Sequence, residues 1–399
     1  MSALYDKSGS LIDEALVIYF KAPKSFTGED IVEFQCHGGT VVAELILQTL
    51  LDFGARLATP GEFTKRAFLN NKIDLTKAEA IAKMIESKSI DSVKILARQL
   101  KGELKEFVDE VRDSLVEILA FVEVNIDYAE EDLPADLLDM IREKLSNLQS
   151  RLKITLESSK RREGLIEGFK VAIIGKPNVG KSSLLNSLLN YDRAIISDIA
   201  GTTRDTIEEE IRIGTHLIKI VDTAGIRNAS DEIEAIGVKR AKLAIENSDI
   251  IIALFDNSRE LDDEDIEILE LVDNLPEDKI AIKVLNKIDL TNRFDTSKLG
   301  EYIPISCKND TQIIIDRLKS ILDERGSDET LLLTTKRQSL AVKKCFDSLK
   351  NSDELIQEGE LELFAFEINE AIRHISSITT SFERDEILDK MFGNFCLGK

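Results

Sequence analysis

One octapeptide, Gly175-Lys176-Pro177-Asn178-Val179-Gly180-Lys181-Ser182, constrains this chain more than any other feature, because it satisfies GxxxxGK[ST] throughout. A buried-strand pattern precedes it at Val171 to Ile174, and a helical run follows from Ser183 to Leu189. Glycines there let backbone N–H groups converge on phosphate oxygens at the start of a helix. Lys181 is placed to reach β- and γ-phosphates, and the Ser182 hydroxyl to bind Mg²⁺. Asn178, Val179, Gly180 and Ser183 complete the set expected to contact a nucleotide.

Three further motifs arrive in a fixed order. Asp222-Thr223-Ala224-Gly225 ends an apolar strand, which places Asp222 to hold Mg²⁺ through water and the Gly225 N–H near a γ-phosphate. Asn286-Lys287-Ile288-Asp289 ends another strand. A carboxylate at Asp289 accepts from guanine N1–H and N2–H, a donor pair that adenine does not offer. Ser306-Cys307-Lys308 follows the last strand, where a backbone N–H meets guanine O6. The ordered set points to GTP. Gly201-Thr202-Thr203-Arg204-Asp205 lies where a first switch belongs, and either Thr203 or Thr202 completes the Mg²⁺ shell when a γ-phosphate is present.

Hydrolysis needs a group to orient water, and the residue after Asp222–Gly225 is Ile226, which cannot do so. Arg227, Asp231, Glu232 and Glu234 are the downstream candidates, and the motif alone does not separate them. Asn178 adds an amide oxygen beside the phosphates, suited to a monovalent cation; K⁺ there would offset transition-state charge as an arginine finger does.

Around this site the chain changes character. Residues 168–326 alternate short apolar runs (Val171–Ile174, Ile218–Val221, Ile250–Phe255, Ile280–Leu285, Tyr302–Ile305) with helical patterns. That alternation predicts a mostly parallel sheet with helices on both faces. On either side the pattern is helical. Val93, Leu96, Leu100, Leu104, Phe107, Val111, Leu115, Ile118 and Val122 step by threes and fours, the stripe of a bundle helix. Pro134 interrupts it, and Leu138, Ile141, Leu145, Leu148 and Leu152 resume it. Leu340, Leu349, Leu361, Phe364, Ile368 and Ile375 are the packing positions expected in the last part. Near the start, Leu16–Phe20 and Ile31–Phe34 read as strands, and a helix follows Gly38-Gly39 through about Phe53. The expected architecture is multidomain α/β plus α. An α+β N-terminal domain occupies 1–70, a helical domain 71–167 and 327–399, and a Ras-like P-loop GTPase domain is inserted at 168–326.

Charge and composition narrow the setting. A net charge of −22 disfavours gripping a phosphate backbone unaided, so a nucleic-acid role calls for a basic partner. Apolar runs such as Ile250 to Phe255 fall far short of the ~20 residues of a membrane span. No charged-then-apolar leader opens the chain. The cysteines Cys36, Cys307, Cys345 and Cys396 show neither metal-ligand spacing nor disulfide density. The expectation is a cytosolic protein with no membrane segment.

Beyond these motifs, the chain carries Ser25-Phe26-Thr27-Gly28-Glu29-Asp30, His37-Gly38-Gly39, Pro60-Gly61-Glu62-Phe63-Thr64-Lys65-Arg66-Ala67-Phe68-Leu69-Asn70, Asp74-Leu75-Thr76-Lys77-Ala78-Glu79-Ala80 and the terminal Phe395-Cys396-Leu397-Gly398-Lys399. In this combination, over essentially its whole length, it resembles the MnmE (TrmE) family of tRNA-modifying GTPases. The resemblance implies a homodimer formed by the N-terminal domains. It also implies work with the flavoprotein MnmG in a heterotetramer, adding a carboxymethylaminomethyl or aminomethyl group to C5 of the wobble uridine. 5,10-Methylene-tetrahydrofolate would supply the carbon, and tRNA would be held largely by the partner. Asn178 matches the family's side-chain K⁺ ligand. The loop Ser197-Asp198-Ile199-Ala200-Gly201-Thr202 matches the segment that lines the nucleotide and supplies further oxygens to K⁺, from Ser197, Ile199 and Thr202. Glu234 matches the glutamate that positions attacking water through a second water, and Arg227 a neighbouring switch arginine. Glu33, Lys72 and Lys399 match folate contacts, and Cys396 a cysteine implicated in modification. Family members begin with a strand and glycine-rich segment of ~50 residues before the point where this chain starts, so the N-terminal domain reads as truncated. The alternative is a ribosome-assembly or regulatory switch GTPase without modification chemistry. The Cys-Leu-Gly-Lys tail and the folate-matching residues favour the first reading.

Overall fold

The computed structural model describes residues 1–127, 135–193, 209–221, 237–276, 278–308, 311–326, 330–380, 392–393 and 395. Backbone contacts divide the chain into two compact units. One comprises Met1–Glu86, Leu96–Leu152 and Thr335–Lys399, and the other Ser87–Ile95 and Lys153–Thr334.

In the first unit, β1 (Ser2–Tyr5), β2 (Leu11–Phe20) and β3 (Ile31–Gln35) form an antiparallel sheet in that order. β2 begins five residues earlier than the apolar run predicts, because Asp13 and Glu14 dilute the pattern while still pairing with β1. The helices α1 (Thr40–Asp52), α2 (Glu62–Leu69) and α3 (Leu75–Glu86) follow, and α1 starts just beyond Gly38-Gly39, as expected. The long apolar stripe is not one helix. α4 (Ile90–Lys101) and α5 (Glu103–Asp127) are separated by Gly102, whose φ of +106° breaks the helical path. Leu104, Val111, Leu115, Ile118 and Val122 are fully buried, whereas Val93 is exposed. In α6 (Ala135–Arg161) the stripe Ile141, Leu145, Leu148 and Leu152 is buried, and Pro134 lies outside the described residues.

The second unit is built on a six-stranded sheet among the described residues. α7 (Glu163–Glu167) leads into β4 (Phe169–Ile174), followed by α8 (Lys181–Arg193), β5 (Glu209–Ile213) and β6 (His216–Val221). Then come α9 (Gly237–Glu246), β7 (Ile250–Asp256), α10 (Asp263–Asp273), β8 (Ile280–Asn286), β9 (Ile303–Pro304) and α11 (Gln312–Gly326). The strand order is β5-β6-β4-β7-β8-β9; β5 and β6 pair antiparallel and the rest parallel. Alternation within each strand feeds two cores. Val171, Ile173, Ile250 and Ile252 pack with Leu184 and Leu188 of α8 and Ile314 and Leu318 of α11. Ala172, Ile174, Ile251 and Ala253 pack with Ala241 and Ile245 of α9 and Ile268 and Leu269 of α10. Helices therefore cover both faces, as strand-helix alternation predicts. β5 escapes sequence reading because Glu209, Glu210 and Arg212 interrupt its apolar content, while Ile211 and Ile213 face the core. Residues 87–95 join this unit through buried His216, whose Nδ1 lies 2.9 Å from Asp91 and Nε2 2.9 Å from Asp323. The last strand, β9, meets β8 only at Val284↔Ile303 and Leu285↔Pro304.

Returning to the first unit, α12 (Lys336–Glu358) packs on α13 (Leu361–Ser376), and α13 on α5. Leu349, Phe364, Ile368 and Ile375 are buried as expected, but Leu340 is exposed: it lies on the outer face of α12. Thr335 and Gln338 form a capping box that starts α12. Arg337 donates to both Glu79 carboxylate oxygens at 2.7 and 2.8 Å and to the Ser377 and Ile378 carbonyls, fastening α3 to the ends of both C-terminal helices. Phe392 is buried against Phe68 and Ala78, and a Cβ on Gly61 would stand 2.5 Å from the Phe392 carbonyl. Among the described residues, no helix is long and apolar enough to cross a membrane.

Candidate nucleotide-binding site

The octapeptide connects the buried strand β4 to α8, and the Leu184 N–H donates to the Gly180 carbonyl to begin the helix. Three of its residues have positive φ: Gly175 (+147°), Asn178 (+64°) and Gly180 (+111°). Asparagine tolerates the left-handed region better than most residues. A Cβ at Gly175 would lie 2.5 Å from the Leu254 carbonyl, and one at Gly180 would lie 2.2 Å from Asn286 Nδ2. The loop is thus packed against the ends of β7 and β8, and its turns need glycine.

Asn286 is the point where the loops meet. Its Nδ2 donates to the Val179 carbonyl at 2.7 Å, its Oδ1 accepts from the Cys307 N–H at 3.0 Å, and its own carbonyl accepts from Asn257 N–H. Lys287, at φ +63°, donates from Nζ to the Asn178 carbonyl at 2.7 Å and to Asp256 Oδ2 at 2.6 Å. Burial works against ionisation of Asp256, but the bonds from Lys287 and Ser258 outweigh it and hold the carboxyl below its ordinary range. Ile288 N–H donates to the Ile305 carbonyl, so the loops after β8 and β9 run side by side. Asp289 is exposed on the first of them. On the second, Ser306 Oγ is buried with no hydrogen-bond partner among the described residues, burial pushes the Cys307 thiol up to about 11, and Lys308 is exposed.

Lys181 folds back over the loop, donating to the Gly175 and Lys176 carbonyls at 2.6 and 2.7 Å. Desolvation pushes its ammonium down to about 8. Below that value Lys181 is charged and ready for phosphate; above it the free protein must take up a proton to bind. Affinity for a nucleoside diphosphate is therefore expected to fall as pH rises past about 8, toward tenfold per unit. Equilibrium titrations from neutral to alkaline pH check this; a flat profile removes Lys181 from the phosphate contacts. Ser182 and Ser183 stand exposed in the first turn of α8, and the Asn178 side chain is exposed on the loop.

Sequence reasoning missed Asp256, Lys176, Asp262 and Asp265. Lys176 is buried and donates to Asp262 and Asp265 at the start of α10. The signal available was the Asp-x-x-Asp spacing of a capping box directly after the β7 strand.

Comparison with known proteins gives the lineage. The family described as MnmE helical domain matches residues 75–396, and the family described as GTP-binding protein TrmE N-terminus matches 1–72. The tRNA modification GTPase MnmE of Aliarcobacter butzleri is 60% identical over 399 residues, covering 100% of this chain and 89% of the relative. This chain belongs to the MnmE family. The MnmE of Sulfurimonas denitrificans is 59% identical over 399 residues, covering 100% of this chain and 90% of its own length. Among solved structures, Era in complex with MgGDPNP and nucleotides 1506–1542 of 16S ribosomal RNA is 27% identical, covering 45% of this chain and 66% of its own, with a TM-score of 0.28. At that score the likeness carries no weight for function.

The residues of interest in this MnmE-family chain fall in several places, and the structure describes only some of them. Hydrogen bonds join Asn178 to Lys287, Val179 to Asn286 and Asn286 to Cys307, while Gly180 lies against Asn286 and Lys181 bonds the Gly175 and Lys176 carbonyls. Glu33 is exposed on β3 opposite Ile18, and Lys72 donates to the Pro23 carbonyl at 2.8 Å, both in the first unit. Ser197, Asp198, Ile199, Ala200, Gly201, Thr202, Thr203, Asp222, Thr223, Ala224, Gly225, Arg227, Asp231, Glu232, Glu234, Cys396 and Lys399 lie outside the described residues.

Proposed function

We propose that this chain is a K⁺-stimulated GTPase that works with the flavoprotein MnmG to add an aminomethyl-type group to C5 of the tRNA wobble uridine. The observation that carries the reading is the 60% identity to an MnmE over the full chain, 89% of that relative's length. The loop geometry supports it from below. Gly175, Asn178 and Gly180 would shape an anion cradle, Asn286 ties that loop to the one carrying Cys307, and Lys181 donates to the loop's own carbonyls. Asp289 would read guanine, and Ser182 with Thr203 would hold Mg²⁺.

The amide oxygen of Asn178 is of the kind that suits a monovalent cation. The side chain is exposed beside the phosphate loop, and its backbone is held by Lys287. Asn178 with Ser197, Ile199 and Thr202 would hold K⁺, which when bound supplies positive charge against the developing negative charge of the transition state. Glu234 is proposed as the group that orients water, with Arg227 beside it. In the other unit, Glu33, Lys72 and Lys399 are proposed for a tetrahydrofolate derivative, and Cys396 for the modification step. We place the G domain at 168–326, the helical domain at 71–167 and 327–399, and a folate-binding and dimerising domain at 1–70, working in the cytoplasm. With a net charge of −22, the grip on tRNA falls largely to the partner.

Mass analysis of wobble uridines in tRNA from cells lacking this gene tests the function. Loss of the aminomethyl-type nucleosides is expected, and unchanged nucleosides would favour a switch GTPase instead. For the hydrolytic step, turnover in KCl should greatly exceed that in NaCl. Glu234→Ala should keep nucleotide affinity while losing roughly 10²-fold or more of its turnover, the usual scale for a positioned acid–base group. Equal rates in the two salts, or normal turnover by the variant, would sink these assignments separately.

A further inference from the structure

The phosphate loop carries a buried cation that the nucleotide reading does not use. Lys176, 7% exposed, donates from Nζ to Asp262 Oδ2 at 2.5 Å and to Asp265 Oδ2 at 2.8 Å. The two carboxylates already have a task. Asp262 Oδ1 accepts from the Asp265 N–H at 3.2 Å and Asp265 Oδ2 from the Asp262 N–H at 3.4 Å, closing the capping box that begins α10. Asp265 is 3% exposed, and Asp262 more than half exposed. The outer side of the loop is therefore fastened to a helix start whose own geometry is set reciprocally.

The backbone of the same residue supports Lys181. The Lys176 carbonyl, with that of Gly175, accepts Lys181 Nζ. A shift of Lys176 therefore moves one of the two oxygens on which the phosphate-binding ammonium rests. The Gly175 side has no slack, since its Cβ position is 2.5 Å from the Leu254 carbonyl. A buried ion pair adds little net stability over an apolar pair of similar volume, but it fixes direction.

We propose that Lys176 is a positioning residue for nucleotide binding, clamped by Asp262 and Asp265 so that the Gly175 and Lys176 carbonyls hold Lys181 in line for the phosphates. The pair is the means by which the start of α10 sets the affinity of a loop more than eighty residues earlier in the chain. This rests on guanine-nucleotide binding by the loop and not on the tRNA chemistry, so unchanged wobble uridines would leave it standing.

The test uses the full chain, a fluorescent GDP analogue and thermal unfolding. Lys176→Met leaves Asp265 buried without its cation, and should lower both the unfolding temperature and the affinity, the latter about tenfold, or ~1.4 kcal/mol. The double variant Lys176→Met with Asp265→Asn removes the unpaired charge and keeps an oxygen for the Asp262 N–H, so the unfolding temperature should recover while the affinity stays low. Affinity that recovers together with the unfolding temperature would mean a structural role alone and would overturn the proposal. So would Lys176→Met binding GDP as tightly as the unsubstituted chain. Should the buried substitutions fold poorly, Asp262→Asn carries the test at an exposed position. It should weaken GDP about threefold at unchanged unfolding temperature, and unchanged affinity would overturn the proposal.

Discussion

Gly180→Ala is expected to lower guanine-nucleotide affinity about 100-fold. The added methyl group would stand 2.2 Å from Asn286 Nδ2, and φ at this position is +111°, where an L-residue is strained. Relief requires Asn286 to turn away, which breaks its bonds to the Val179 carbonyl and the Cys307 N–H together. Each is worth about 1 kcal/mol net, and the backbone strain adds ~1–3 kcal/mol. In the free protein the loop can relax into another arrangement and recover part of this. The nucleotide then has to restore the original arrangement, so the energy is felt as lost affinity and less as lost fold. Titration with GDP, alongside circular dichroism to confirm folding, measures it. A loss smaller than threefold would mean that the loop accommodates a side chain and that Asn286 does not tie the two loops together.

A second large effect is expected from Asp289→Asn. The residue is exposed at the end of the loop after β8, and Ile288 N–H to the Ile305 carbonyl holds that loop beside the one carrying Ser306. A carboxylate offers two acceptors to the N1–H and N2–H donors of guanine. Asparagine replaces one acceptor with a donor, so one base N–H faces an amide N–H. Sites built around such a bond discriminate strongly against a mismatched partner, so GTP affinity should fall roughly 10²- to 10³-fold. Xanthine has a carbonyl where guanine has its 2-amino group, and it matches the asparagine. The preference between GTP and xanthosine triphosphate should therefore reverse in competition binding. A ratio that does not change would show that the base is read elsewhere.

These two substitutions divide what was legible in the sequence from what was not. Asp289 is readable because a short motif at a strand end carries its chemistry without reference to anything distant. The tie from Asn286 to Val179, the clamp on Lys176 and the buried Asp256 behind Lys287 join residues from about thirty to more than one hundred positions apart. No local pattern announces such partners. The fold shows the same division. β7 reads clearly because both of its faces are covered, so Ile250 to Phe255 is a continuous apolar run. β5 hides because three of its five residues, Glu209, Glu210 and Arg212, are charged. The break at Gly102 hides for a different reason. Leu100 and Leu104 keep the four-residue step across it, so periodicity continues where the backbone does not. Glu234 and Arg227 gain their assignment from the family resemblance, since the motif itself leaves four side chains equivalent.

The narrow end of the large sheet has a consequence for life in a crowded solution. β9 contributes only Ile303 and Pro304 and pairs with β8 on its inner side. A sheet edge is a template onto which another polypeptide can zip, and its unpaired N–H and carbonyl groups are what recruit the newcomer. Proline has no N–H, and two residues give an incoming strand too little to align with. Copies of this chain meeting at that edge would find no ladder to extend. Resistance to aggregation there is a matter of shape, and unlike the repulsion between like-charged surfaces it should survive high salt.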